Sequence, residues 1–113
     1  MRKKIFISIP YGLDPKVQAE RVRMNNAYVR RLILDGHIPV SPIIVGTTAF
    51  QGEDTGNVPY PYWIQLSVSY MEGVDEIHII TCEGWEHSQG VQIEREIGRV
   101  FGVPIHLIDP STI

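Results

Sequence analysis

The chain alternates short, continuous apolar runs with longer amphipathic stretches. Lys4-Ile5-Phe6-Ile7-Ser8-Ile9 is the first run, closed by Pro10, and it suits a buried strand. After a loop at Pro10-Tyr11-Gly12-Leu13-Asp14-Pro15, the pattern is helical to Asp35. Val22, Val29, Leu32 and Ile33 share one face of that helix, while Arg21, Arg23, Arg30 and Arg31 lie mostly off it, and Gly36 is placed to end it. Asn25 and Asn26 fall near the apolar face, which marks them as buried hydrogen-bonders or contacts to a partner subunit. His37-Ile38-Pro39-Val40 gives a second strand, ended by Ser41-Pro42.

Residues 44–58 show neither a strand nor a helix period and contain Gly46, Gly52 and Gly56, so they read as one long loop. A loop of that length in a small domain is expected to cover a site or make a subunit contact. Pro59-Tyr60-Pro61 opens a second helix, with Trp63, Leu66, Tyr70 and Met71 as its apolar stripe and Gly73 at its end. Asp75 to Thr81 is the third strand. A helix capped by Ser88 runs to Phe101, and Pro104-Ile105-His106-Leu107-Ile108 is the fourth strand.

This β-α-β-α-β-α-β order predicts an α/β fold of the three-layer Rossmann- or flavodoxin-like kind, as one domain over residues 1–113. A four-stranded parallel sheet would have strand order 2-1-3-4 and helices on both faces. Ligands in such sheets bind at the carboxyl ends of the strands, beside the switch in strand order. The loop after strand 1, Ser8 to Tyr11, and the loop after strand 3, Cys82 to Gly90, therefore converge on one cleft.

Composition narrows the possibilities. An apolar fraction of 43% in 113 residues is enough for one core. A net charge of −3, with no basic stripe, argues against nucleic acid as a partner. No run reaches membrane-spanning length, no stretch resembles a signal peptide, and the lone Cys82 is expected to be a small core residue, so a reducing cytoplasm is the expected location. The four histidines have no ligand-like spacing, and neither a metal nor an organic cofactor is expected.

The chemistry is expected in Gly84-Trp85-Glu86-His87-Ser88-Gln89-Gly90-Val91-Gln92-Ile93-Glu94. A strand, a turn and a helix N-terminus offer free backbone N–H groups and a favourable dipole to an anion. At about 100° per residue, Ile93, Ile97, Val100 and Phe101 form the apolar face of this helix, and Gln92, Arg95, Glu96 and Arg99 lie opposite. Glu94 lies on the flank of the apolar arc, in line with Gly90, whereas Glu96 sits with the solvent-facing charges. Burial would raise the pKa of Glu94 and the dipole would lower it; either way it is a credible nucleophile or acid/base.

With these residues in view, nearly the whole chain resembles the nucleoside 2-deoxyribosyltransferase-like superfamily. Within it, the chain is similar to the 2′-deoxynucleoside 5′-phosphate N-hydrolases and to a branch of short bacterial and phage proteins. The marks are Phe6-Ile7-Ser8-Ile9-Pro10-Tyr11, Gly36-His37-Ile38-Pro39-Val40-Ser41-Pro42-Ile43, Tyr62-Trp63, Asp75, Gly84-Trp85, Ser88-Gln89-Gly90-Val91 leading to Glu94, and Gly102-Val103-Pro104. The resemblance implies that Glu94 attacks the anomeric carbon of a nucleotide or nucleoside and forms a glycosyl-enzyme intermediate. It implies that Ser88, with the N–H groups of Gly90 and Val91, holds a 5′-phosphate, and that Ser8 and Tyr11 lie in the region lining the sugar pocket. Trp85 would stack on a base or pack its loop down. The resemblance also implies a homodimer or larger assembly. One position departs: Ser67 stands where the family usually carries an aspartate, and it can hydrogen-bond a sugar hydroxyl without acting as a charged base. Two readings follow: an N-glycosidase or deoxyribosyltransferase-like enzyme acting on a nucleoside 5′-monophosphate, and a non-catalytic nucleotide-binding protein using the same pocket.

Overall fold

A computed structural model describes residues 1–51 and 58–113. Its parallel sheet has the order β2-β1-β3-β4, as the alternation of elements predicts. The strands are β1 (Lys4–Ser8), β2 (Ile38–Val40), β3 (Glu76–Ile80) and β4 (Ile105–Ile108). The helices are α1 (Pro15–Leu34), α2 (Pro42–Phe50), α3 (Tyr60–Met71) and α4 (Gln89–Phe101). Successive side chains on a strand point to opposite faces, and β1 and β3 divide accordingly. Ile5, Ile7, Ile9 and Ile80 pack with Tyr28, Val29 and Leu32 of α1 on one face. Phe6, Ile77 and Ile79 pack with Met71 of α3 and Val91 of α4 on the other.

Three expectations are corrected. Residues 44–50 are not loop: they belong to α2, whose N-cap Ser41 accepts a hydrogen bond from the Ile44 N–H at 3.3 Å and whose first position is Pro42. Ile43 and Ile44 pack against the α1-side core, and this tertiary burial overrides the weak helix propensity of a β-branched, glycine-containing segment. Residues 52–57 of the expected loop lie outside the described residues. On α1 the buried stripe is Asn25, Tyr28, Val29 and Leu32, while Ile33 is exposed. Asn25 is a buried hydrogen-bonder, its Nδ2 donating to Ser41 Oγ at 2.9 Å, so it ties α1 to the start of α2.

The third correction bears on the site. Val100 and Phe101 are exposed, and the face of α4 that packs on the sheet runs through Val91 and Gly98. Gly98 sets this rotation. A Cβ there would lie 2.3 Å from Cδ1 of the fully buried Ile77, so glycine lets α4 approach β3 this closely without displacing that side chain. Glu94 lies between Val91 and Gly98 on that same face, four residues from Gly98 and three from Val91. Cys82 is buried in the α1-side core, as expected. Among the described residues, no helix is long and apolar enough to cross a membrane.

Candidate active site

Glu94 projects from the second turn of α4 toward the carboxyl end of β1. Ser8, the last residue of β1, donates its hydroxyl to Glu94 Oε1 at 2.7 Å. Ser67 on α3 donates to Oε2 at 2.8 Å. Both serines are buried, at 1% and 5% exposure, so neither hydroxyl has bulk water as an alternative partner. The carboxylate is thus held at both oxygens by groups from two other elements.

Two effects oppose each other at this carboxylate. Hydrogen bonds to the charged form are worth about 1.5–3 kcal/mol each and lower the pKa. Removal from water favours the neutral acid and raises it. Burial wins: the Glu94 carboxyl is pushed up to about 7, with Ser8 and Ser67 pulling it down less strongly. The side chain retains some surface, and it faces a cavity of about 90 Å³. Glu94, Ser67 and Gly90 line that cavity together with Tyr60, Trp63, Ile64 and Ile93. The walls are mostly apolar, with a single carboxylate poised near neutrality.

The approach to α4 is also built by the sequence. Gly84 adopts φ +84°, a left-handed position that turns the chain out of β3 into a 3₁₀ turn at Trp85–His87. Ser88 then caps α4, its Oγ accepting from the Val91 N–H at 3.3 Å, and the first turn of α4 holds no acidic residue. On the other side of the cleft, the Arg21 guanidinium donates to the carbonyl of Pro10 at 3.2 Å and to that of Glu83 at 3.1 Å. It staples the loop after β1 to the loop after β3.

The structure therefore brings Ser8, Ser67, Gly90 and Glu94 together. Ser8 and Ser67 spend their protons on Glu94 and keep their acceptor lone pairs. The Val91 N–H is taken by Ser88, and Gly90 of the same first turn lines the cavity. Trp85 does not line the cavity. It packs against the core shared by α3 and α4, with the Arg95 guanidinium 5.8 Å from its ring centroid. Tyr11, part-buried in the loop after β1, is likewise outside the lining. Tyr60, Trp63 and Ile64 were not foreseen as lining residues, although Trp63 was placed on the inner stripe of its helix.

The four-stranded parallel sheet and its helices make this an α/β domain, and its likeness to a solved structure is to the deoxyribosyltransferase-like fold. A 2-deoxyribosyltransferase from the psychrotolerant bacterium Bacillus psychrosaccharolyticus superposes with a TM-score of 0.63 over 95% of this chain and 72% of that one, at 18% identity. The family itself is given by the sequence: residues 3–109 match the model of a domain of unknown function, DUF1937, and the chain belongs to that family. Among curated proteins, none matches.

Proposed function

We propose that this protein cleaves the N-glycosidic bond of a nucleoside 5′-monophosphate, with Glu94 as the nucleophile. The observation that carries this reading is the carboxylate held at both oxygens by Ser8 and Ser67 in the wall of an apolar cavity. Fixing both oxygens limits the rotation of the carboxylate, and a pKa of about 7 leaves a working fraction ionised at neutral pH. The ionised oxygen would attack the anomeric carbon as the bond to the base nitrogen breaks, giving a glycosyl ester and a base anion that takes a proton from water; water or an acceptor base would then release the sugar. The fold shared with a 2-deoxyribosyltransferase supports a nucleoside-type substrate. An α4 N-terminus free of acidic residues, with Gly90 of its first turn at the cavity, supports an anionic 5′ end.

At about 90 Å³ the cavity is well below the roughly 300–1,000 Å³ of a pocket that encloses a whole drug-sized ligand. It accommodates part of a nucleotide, and the exposed Tyr60 and Tyr62 beside it offer apolar surface to a neighbour. We therefore include in the proposal a homodimer or larger assembly, for which sedimentation showing only monomer at micromolar concentration is the refuting result. Ser67 favours a second reading, in which the pocket retains a nucleotide without turning it over. Incubation with a panel of deoxynucleoside and nucleoside 5′-monophosphates, and with the corresponding nucleosides, decides between them. Free base that appears with wild type and vanishes with Glu94→Ala supports the enzyme. Binding without base release, unchanged in Glu94→Gln, supports retention; no binding at all refutes both.

A further inference from the structure

The face of the sheet turned away from Glu94 carries a second polar group that the proposed reaction does not use. β3 and β4 pair in parallel with His78 opposite His106, so the two imidazoles project side by side toward the α1 layer. Glu76 precedes His78 by two residues and projects to the same face. Along the chain these residues have no ligand-like spacing, because the two histidines are 28 positions apart (106 − 78) and meet only through strand register. Glu76 Oε1 lies 2.8 Å from His78 Nε2 and 3.7 Å from His106 Nε2. All three donor atoms fall within 4.8 Å of one another.

We propose that Glu76, His78 and His106 bind a divalent first-row transition metal, zinc foremost. Two imidazole nitrogens and one carboxylate oxygen are the donor set that zinc takes with three protein ligands, a water completing the tetrahedron. Ligands about 2.1 Å from a zinc ion lie roughly 3.4 Å apart in that geometry, so the donors need move by little more than ~1 Å. His106 can supply that movement, since its side chain is about half exposed, at 51%, whereas Glu76 is only 14% exposed. The same exposure gives the ion a path in and leaves its remaining position open to solvent.

The surroundings of the three donors match what orients metal ligands elsewhere. Tyr28 Oη lies 2.6 Å from His78 Nδ1, the ring nitrogen that would not touch the ion. Lys3 Nζ holds Glu76 Oε2 at 2.5 Å, leaving Oε1 directed at both histidines. Without metal, His78 Nε2–H donates to Glu76 and Tyr28 donates to Nδ1. With metal, the neutral ring takes the other tautomer: Nδ1–H donates to Tyr28 Oη, whose own O–H turns away from the ring, and the Nε2 lone pair binds the ion. No proton need leave the site. Lys3 and Arg31, whose guanidinium lies 5.6 Å from the Tyr28 ring centroid, are the nearby cations and hold the affinity below that of a purely anionic site.

The test uses the full chain stripped with chelator and titrated with Zn²⁺ by calorimetry, and with Co²⁺ followed by its visible absorption. The expected result is one ion per chain, with Co²⁺ giving the intense bands of a low-coordinate site. His106→Ala, at a half-exposed position, should weaken binding at least about tenfold, Tyr28→Phe about tenfold, and His87→Ala, in the turn before α4, not at all. Wild-type binding no tighter than that of His106→Ala, or an equal loss in His87→Ala, would overturn the proposal. Base release in Glu94→Ala is a separate readout, so the two proposals fail independently.

Discussion

Glu94→Gln keeps the shape of a buried side chain while removing its charge, and its effect on stability can be worked out from the structure. In the folded chain the carboxyl titrates near 7, against 4.5 for an unperturbed glutamate. The folded state therefore holds its proton over a range in which the unfolded state has released it. The glutamate's contribution to stability is fully present below about pH 4.5, is lost as pH rises through 7, and is constant above that. At about 1.4 kcal/mol per pH unit, the difference between 4.5 and about 7 amounts to roughly 3 kcal/mol. The glutamine variant has no such dependence. Urea unfolding of both proteins from pH 4 to pH 9 should show the variant gaining roughly 3 kcal/mol on wild type across that range. In thermal unfolding the gain should be on the order of 10 °C for a chain of this length. A stability difference that does not change with pH refutes the buried, perturbed carboxylate. A change of the opposite sign would mean that the two serine hydroxyls outweigh burial.

Other expectations follow from the same geometry. Ser67→Ala removes one of the two bonds that hold the Glu94 pKa down. Because the nucleophile must be ionised, the rising limb of kcat/KM against pH should move to higher pH, and an unmoved limb would exclude Ser67 from positioning the carboxylate. Gly98→Ala forces Ile77 to move within the core and should cost about 1–2 kcal/mol by chemical denaturation, despite the better helix propensity of alanine. Arg21→Ala frees the Pro10 and Glu83 carbonyls. It should change global stability by less than about 1 kcal/mol yet speed amide exchange in residues 11–13 and 83–84, as measured by mass spectrometry.

The fold was legible wherever burial and period agreed. The apolar runs at β1 and β3 lie at the centre of the sheet, and the helices between them allow only a few right-handed topologies. α2 was missed because its residues, Pro42–Phe50, contain a glycine and branched side chains, although Ser41-Pro42 is the cap-and-proline signal that would have found it. Helix phase alone separated Glu94 from Glu96, but it set the apolar arc too far toward Val100. The true rotation of α4 depends on the contact of Gly98 with Ile77, which no single-helix pattern contains. Ser8 and Ser67 were placed at the site, but their bonds to Glu94 were hidden, since a hydrogen bond across 86 or 27 residues is a tertiary fact. The pairing of His78 with His106 was hidden for the same reason.

The brace on Glu94 has a consequence for the count of hydrogens around it. With the carboxylate ionised, two hydroxyl protons meet two oxygens and nothing is left over. When Glu94 takes up a proton, its own O–H must donate, and one serine has to turn its hydrogen elsewhere to receive it. A helical serine can send its proton to the carbonyl four residues earlier, which for Ser67 is Trp63, a residue lining the cavity. Protonation of Glu94 would then reverse the hydrogen bond between α3 and α4, Ser67 becoming the acceptor, while Ser8 of β1 stays a donor. The two charge states of one glutamate would fasten the same elements together, with the hydrogens of the brace pointing in different directions.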